Sequence, residues 1–305
     1  MLVIGENIHI ISPRVKTAID ERDADFFRSL AKKQAAAGAH YVELNIGPSR
    51  KRGVEIMQWM VEAVQDAIDV PLSLDTTNAD AIEAGLKLCK RTPLINSTSA
   101  ERTRRERLLP LAAEYNAPII ALTMTEKGIP NVADGRAELG FELINAAAEY
   151  GIGADRLYLD PLVLPVTADQ AGVQVTVESI RLFKGLSDPP VKTVVGLSNV
   201  SNGAPNENRP LINRVFLVML LGAGLDAAIV DPLDQKLMEA VRIVESQDTS
   251  TGVGRLLCAI YNATAAGESI TPDDVDMSDP AQVDIWKTVR ILRNEVIYAD
   301  SYLRV

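Results

Sequence analysis

Residues 192–202 read Lys-Thr-Val-Val-Gly-Leu-Ser-Asn-Val-Ser-Asn. The β-forming run Thr193-Val194-Val195 leads into a tight Gly196-Leu197-Ser198-Asn199 turn, after which polar side chains crowd together. A helical pattern follows over Pro210–Ala223. A strand ending in hydrogen-bonding side chains and then a helix is half of a βα unit, and the chain reads as repeated copies of it.

Working outward, strand-length apolar runs appear at Leu2–Glu6, Tyr41–Asn45, Leu72–Thr76, Leu94–Ser97, Pro118–Met124, Leu157–Val163 and Asp226–Asp231. With 192–198 that makes eight. Helical periodicity separates them. Phe26-Phe27, Leu30-Ala31 and Gln34-Ala35 lie on one face and end at Gly38, and further helices are expected over Val54–Ile68, Ala79–Cys89, Arg102–Tyr115, Gly135–Tyr150 and Val175–Leu186. Near-continuous apolar strands alternating with helices imply a parallel sheet covered by helices. Eight units in about 250 residues predict an α/β fold of the (β/α)8 TIM-barrel type. An open doubly wound sheet is disfavoured because no Gly-x-Gly-x-x-Gly follows the first strand.

Two stretches break the rhythm. The run Glu101-Arg102-Thr103-Arg104-Arg105-Glu106-Arg107 reads as a solvated helix start laced with i,i+3 and i,i+4 ion pairs. Residues 247–281 read as an inserted helix and an acidic loop (Asp273, Asp274, Asp276, Asp279) before a final helix over Gln282–Tyr298. That loop lacks the glycine and terminal glutamate of a calcium loop. The expectation is a single domain over 1–305.

Bulk properties narrow the function. A formal charge of −10 argues against a nucleic-acid partner. No run approaches the ~18 apolar residues of a membrane helix. The chain opens on a strand with no basic leader, so a cytoplasmic protein is expected. Cys89 and Cys258 make no disulfide framework, and His9 and His40 are the only histidines, so no protein-bound metal is expected.

In a barrel of this type the site lies at the C-terminal strand ends. Those ends carry Glu6, Asn7, Glu43, Asn45, Asp75, Asn96, Met124, Asp160, Asn199 and Asp231. Any one could simply cap the next helix. Asp75, Asn96, Asp160 and Asn199 come from four strands and are expected at a similar level. Aspartate accepts hydrogen bonds and asparagine both donates and accepts, a mixture that suits a flat heterocycle bearing an amino group, a ring N–H and a carbonyl. It suits phosphate badly, there being no glycine nest. No Ser or Cys has an evident His partner for nucleophilic catalysis.

The ordered series Ile4-Gly5-Glu6, Leu74-Asp75-Thr76-Thr77-Asn78, Ile95-Asn96-Ser97-Thr98, Leu159-Asp160-Pro161-Leu162, Gly196-Leu197-Ser198-Asn199-Val200-Ser201 and Asn208-Arg209-Pro210-Leu211-Ile212-Asn213-Arg214 resembles the pterin-binding barrels, most closely the methyltetrahydrofolate:corrinoid protein methyltransferases. The resemblance implies that Asp75, Asn96 and Asp160 hold the pterin ring. It places Asn199 near N5 of the folate, as both a binding and a catalytic residue. It implies methyltetrahydrofolate or tetrahydrofolate as substrate, a corrinoid (cobalamin) carried by a partner protein, a homodimer, and an SN2 transfer of the N5 methyl in either direction. Asn199 has no proton to release at ordinary pH, so its expected role is hydrogen-bond stabilisation, and the source of the N5 proton stays open. The chain departs from the family's Gly-Glu-Arg-x-Asn at the first strand, reading Gly5-Glu6-Asn7-Ile8-His9. His9 there is open to two readings, a proton donor or a plain surface histidine. The basic loop Arg50-Lys51-Arg52 is open to contact with the folate glutamate tail or to simple solvation. Dihydropteroate synthase and a folate-binding subunit without turnover are the alternatives.

Overall fold

The computed structural model describes residues 1–49 and 51–304. Eight parallel strands close into a barrel in chain order. They are β1 Leu2–Gly5, β2 Tyr41–Asn45, β3 Leu72–Asp75, β4 Leu94–Ser99, β5 Ile119–Leu122, β6 Leu157–Asp160, β7 Lys192–Gly196 and β8 Ala227–Val230. The helices between them are α1 Pro13–Asp20, α2 Ala24–Ala36, α3 Gly53–Val64, α4 Ala79–Leu88, α5 Arg102–Glu114, α6 Ala133–Glu149, α7 Gln170–Lys184 and α8 Arg209–Gly222. Beyond β8 come α9 Gln235–Ser246, α10 Gly252–Ala266 and α11 Pro280–Leu292.

The (β/α)8 expectation holds, with local differences. Helix α1, entered through Pro13 in its first turn, lies in the β1–β2 connection, where periodicity gave no signal. Helix α7 begins five residues earlier than its apolar pattern, because Asp169 caps it by accepting from Gly172 N at 3.0 Å. Helix α11 stops at Leu292, not Tyr298, with Asn294 in the left-handed region (φ 57°). The tail beyond is held by Gln170, which donates to Ile291 O and Val296 O and accepts from Tyr298 N.

The period of two along each strand divides the barrel interior into two levels. Leu2 and Ile4, Tyr41, Leu94, Ile120 and Leu122, Tyr158, Val194, and Ala227 with Ile229 pack together as an apolar floor. The next inward positions on the same strands are Glu6, Glu43 and Asn45, Asn96, Asp160 and Asp231, so the polarity changes abruptly at the mouth. Outside the barrel, two apolar clusters glue the helices on, one under α7–α11 and the other under α1–α6.

Residues 247–281 are built into the helical layer. Helix α10 packs on α8 and α9, capped by Thr251 at its start and by Gly267 (φ 77°) at its end. The acidic loop spends its carboxylates on its own backbone: Asp274 accepts from Thr271 N, Asp276 from Ser278 N, and Asp279 from Ala281 N. We therefore propose that 1–305 folds as one unit. Gly222 gives the test, because a Cβ there would lie 2.4 Å from Tyr261 O of α10. Gly222→Ala is expected to cost about 1–3 kcal/mol through overpacking, read as a lower denaturation midpoint. An unchanged midpoint would mean that α10 is only loosely attached.

Candidate active site

The mouth of the barrel is a cavity of about 400 Å³ whose wall includes Glu6, His9, Glu43, Asn45, Asp75, Ser198, Asn199 and Arg209. Strand register builds its acidic side. Asn45 stands opposite Asp75, and Asp75 opposite Asn96. Asn45 Nδ2 donates to Asp75 Oδ2, and Asn96 Nδ2 donates to Glu43 Oε1 at 2.9 Å. Two carboxyls and two amides on three neighbouring strands thus interlock.

This crowding controls protonation. Burial pushes Asp75 up to about 7, against the positive charge of Arg104 and the hydrogen bond from Asn45. Glu43 is fully buried, and burial together with the charges of Asp75 and Glu6 raises it well above the usual carboxylate range. Asp75, at about 7, therefore shares a proton near neutrality.

The opposite wall is the β1–β7–β8 side. Burial raises Glu6 to about 7, helped by Asp231 and opposed by the Ser198 hydroxyl and by Arg209. Ser198 Oγ donates to Glu6 Oε1 at 2.5 Å. Asn7, where the family has arginine, donates to Asp231 Oδ1 at 2.8 Å, so the first strand end is part of the wall despite its departure from the family pattern. A second cavity of about 290 Å³, between Glu6, Arg209, Asn213 and Asp231, adjoins this wall.

Asn199 stands in a short 3₁₀ turn, Leu197–Ser201. Its Nδ2 donates to Gly196 O at 3.2 Å and its Oδ1 accepts from Asn202 Nδ2 at 3.1 Å. The amide is exposed, and one of its two N–H bonds stays available to a ligand. Gly196 permits the fold-back, since a Cβ there would sit 3.0 Å from Asn199 Nδ2.

Of the four residues singled out from sequence, Asp75 and Asn199 line the cavity, and Asn96 supports it through Glu43. Asp160, at the end of β6, is buried and is not among the residues that line this cavity; it accepts from Leu162 N at 2.7 Å. Burial raises it to about 7, against that bond and the positive charge of Arg136. Burial makes both Asp75 and Asp160 proton-sharing groups near neutrality. Glu6, Glu43 and Asn45, named above among the strand ends but given no role, line the cavity as well, and so does Ser198, which no strand-end signal singles out.

Two further expectations change. Arg104, read as part of a solvated run, is half-buried and donates to three backbone carbonyls, those of Thr76, Thr77 and Ser97. Within the run Arg102 makes the expected i,i+4 pair with Glu106 at 2.7 Å, whereas Arg107 and Arg105 reach other helices, Arg107 to Asp80 of α4 at 3.1 Å and Arg105 to Glu142 of α6. His9 is no plain surface histidine, because its bridge to Asn45 sets it at the rim, where burial lowers its pKa and leaves it neutral at pH 7. In the basic loop Arg50 lies outside the described residues, while Arg52 pairs with Glu55 at 3.3 Å. Among the described residues no three His, Cys, Asp or Glu side chains cluster so as to hold a metal, and no helix is long and apolar enough to cross a membrane.

Comparison with known proteins fits this geometry. Residues 13–231 match the pterin binding enzyme family. The chain is 32% identical over 246 residues to the methylcorrinoid:tetrahydrofolate methyltransferase of Eubacterium limosum, covering 79% of this chain and 89% of that one. It is 30% identical over 259 residues to methionine synthase of Mycobacterium tuberculosis, covering 81% of this chain but only 21% of that protein. Among solved structures, dihydropteroate synthase of Xanthomonas albilineans with 4-aminobenzoic acid superposes with a TM-score of 0.61 at 19% identity, over 81% of this chain and 93% of that one, a likeness of fold. The chain belongs to the pterin-binding enzyme family and is one of its methyltransferases.

Proposed function

We propose that the chain moves a methyl group between N5 of methyltetrahydrofolate and the cobalt of a corrinoid carried on a separate protein. What carries this reading is the identity to a methylcorrinoid:tetrahydrofolate methyltransferase along nearly the whole of that relative. The mouth suits the substrate. It offers carboxylates and amides to a flat polar ring and, among the described residues that line it, no glycine nest or basic cluster for a pyrophosphate. That difference favours methyl transfer over dihydropteroate synthesis.

In the proposed arrangement Asp75, Asp160 and Asn96 hold the pterin through its amino group, ring N–H and carbonyl. The Asn199 amide donates its spare N–H toward N5. In one direction Co(I) attacks the methyl carbon, the Co–C bond forms as C–N5 breaks, and the electron pair returns to N5. In the other, the N5 pair attacks the methyl and the cobalt leaves as Co(I) with its pair. An amine departs poorly with an unneutralised pair, so a proton must reach N5 in the first direction and leave it in the second.

Glu6 is the acid on this wall with a proton to share. Asp75 and Asp160 are committed to the ring, and Glu43 is buried and bonded by Asn96. Glu6 sits near 7, lines the same cavity as Asn199 and is bonded by Ser198, the residue just before it. General acids work best with a pKa near the operating pH. The corrinoid protein docks over the open mouth, the chain pairs with a second copy through its helices, and the setting is cytoplasmic.

Anaerobic spectroscopy with methyltetrahydrofolate and free cob(I)alamin tests the reaction. Loss of Co(I) with growth of methylcobalamin is expected, while folate binding without transfer to free or protein-bound corrinoid would make the chain a binding subunit. A second expectation concerns affinity. Ring donors favour ionised carboxylates, so folate binding should weaken as pH falls through about 7, by about tenfold between pH 8 and pH 6 for each titrating group. Asp75→Asn and Asp160→Asn should each weaken binding about 10- to 100-fold, the worth of a hydrogen bond to a charged group. Calorimetry showing unchanged affinity in both would move the ring elsewhere.

A further inference from the structure

Two arginines stand behind the two ring-binding aspartates, and neither spends its hydrogen bonds on the carboxylate. Arg104, in the first turn of α5, donates through Nε to Ser97 O at 2.8 Å, through Nη1 to Thr77 O at 2.8 Å and through Nη2 to Thr76 O at 3.1 Å. Those carbonyls belong to the residues that immediately follow Asp75 and Asn96. Arg136, in the first turn of α6, is fully buried. It donates through Nε to Pro130 O at 3.0 Å, and through Nη1 to Leu162 O at 3.1 Å and Thr176 Oγ1 at 3.3 Å. Leu162 is the residue whose N–H binds Asp160, so Arg136 grips the other end of the same peptide unit's residue. Its Nη2 is buried without a partner.

We propose that Arg104 and Arg136 are positioning residues for pterin binding: each pins the loop on which its aspartate is mounted and sets a positive charge behind that aspartate, leaving the carboxylate oxygens to the ligand. This rests on the folate reading above. Three observations support it. Each guanidinium uses its planar fork on backbone carbonyls from segments that converge on a strand end, which a lysine's point charge would not span. Each also opposes burial at its aspartate, Arg104 at Asp75 and Arg136 at Asp160. Finally, a fully buried cation with an unpartnered nitrogen costs stability, and a well-packed apolar side chain would fill such a space more cheaply. What the charge supplies is its field at Asp160. A direct bidentate ion pair would give a stronger field but would occupy the oxygens that the ring's donors need.

The test follows Asp75 and Asp160 by carboxyl-carbon NMR in ligand-free protein labelled at aspartate, with Asp75→Asn and Asp160→Asn as assignments, alongside methyltetrahydrofolate binding from pH 6 to pH 9. Arg104→Gln should raise the Asp75 midpoint by about one unit, the lower end of what a neighbouring opposite charge does. Folate affinity should then fall about fivefold more at pH 7 than at pH 9, on top of the pH-independent loss that comes with losing the fork. Arg104→Lys should leave the midpoint nearly in place and weaken binding evenly at all pH, because it keeps the charge and loses the fork. Arg136→Lys should do the same at Asp160, with thermal melting showing that it folds. An Asp75 midpoint unmoved in Arg104→Gln, or a loss of affinity independent of pH, would overturn the electrostatic role. Unaltered protein that binds no folate would overturn the folate reading instead, and the NMR titration would still report on the arginines.

Discussion

Asn199→Ala is expected to lower methyl transfer by about 10²–10³ in rate, the usual cost of removing one aimed donor from a transition state, while folate affinity changes less than about threefold. The split follows from where the amide sits. Asn199 is exposed on a 3₁₀ turn, held by Gly196 O and Asn202 rather than by the acidic wall. Its amide lines the cavity with one N–H left unused by these bonds, apart from the acidic residues proposed to grip the ring. In the proposed arrangement its hydrogen bond to N5 would strengthen as the electron pair returns to that nitrogen, making the interaction worth more in the transition state than in the bound substrate. Single-turnover transfer and equilibrium binding measured on the same preparation give the answer. Equal losses in rate and affinity would make Asn199 a plain binding residue.

The second large effect is expected at Glu6. Glu6→Gln keeps the shape and can still accept from Ser198 Oγ, but it has no proton to give, so transfer should fall by about 10²-fold or more. The pH dependence carries a definite sign. Toward Co(I), the step needs Glu6 protonated, so the rate constant in the bound complex should fall as pH rises through about 7. Toward tetrahydrofolate, the step needs the carboxylate, and the rate should fall as pH drops through the same value. Glu6→Gln should abolish both limbs. Full activity in the variant, or a limb that survives unchanged, would assign the proton to solvent or to another group on the wall.

Much of this was legible in the chain itself. Strand-length apolar runs spaced by helical periods already call for a parallel sheet buried on both faces, and eight such units in about 250 residues without a Gly-x-Gly-x-x-Gly favour its closure into a barrel. The inward level of polar side chains was also readable, since Glu6, Glu43, Asn45, Asp75, Asn96 and Asp160 all stand at strand ends, and alternation sends them to one place. Helix ends set by a cap or a left-handed residue, at Asp169 and Asn294, were less so, because hydrophobic period marks which face is buried and not where a helix stops.

Tertiary structure alone decided the charge states and the supporting roles. Nothing in Glu101–Arg107 shows that Arg104 turns inward while Arg102 stays in solvent. That choice depends on which carbonyls of the β3 and β4 loops converge above it. Nothing in the local sequence of Glu43, Asp75 or Asp160 shows that they leave the ordinary carboxylate range. Desolvation and mutual repulsion arise only when the strands bring them together. The sequence set which side chains reach the mouth, through the two-residue period of a strand, and packing in three dimensions set which of them carry a proton there.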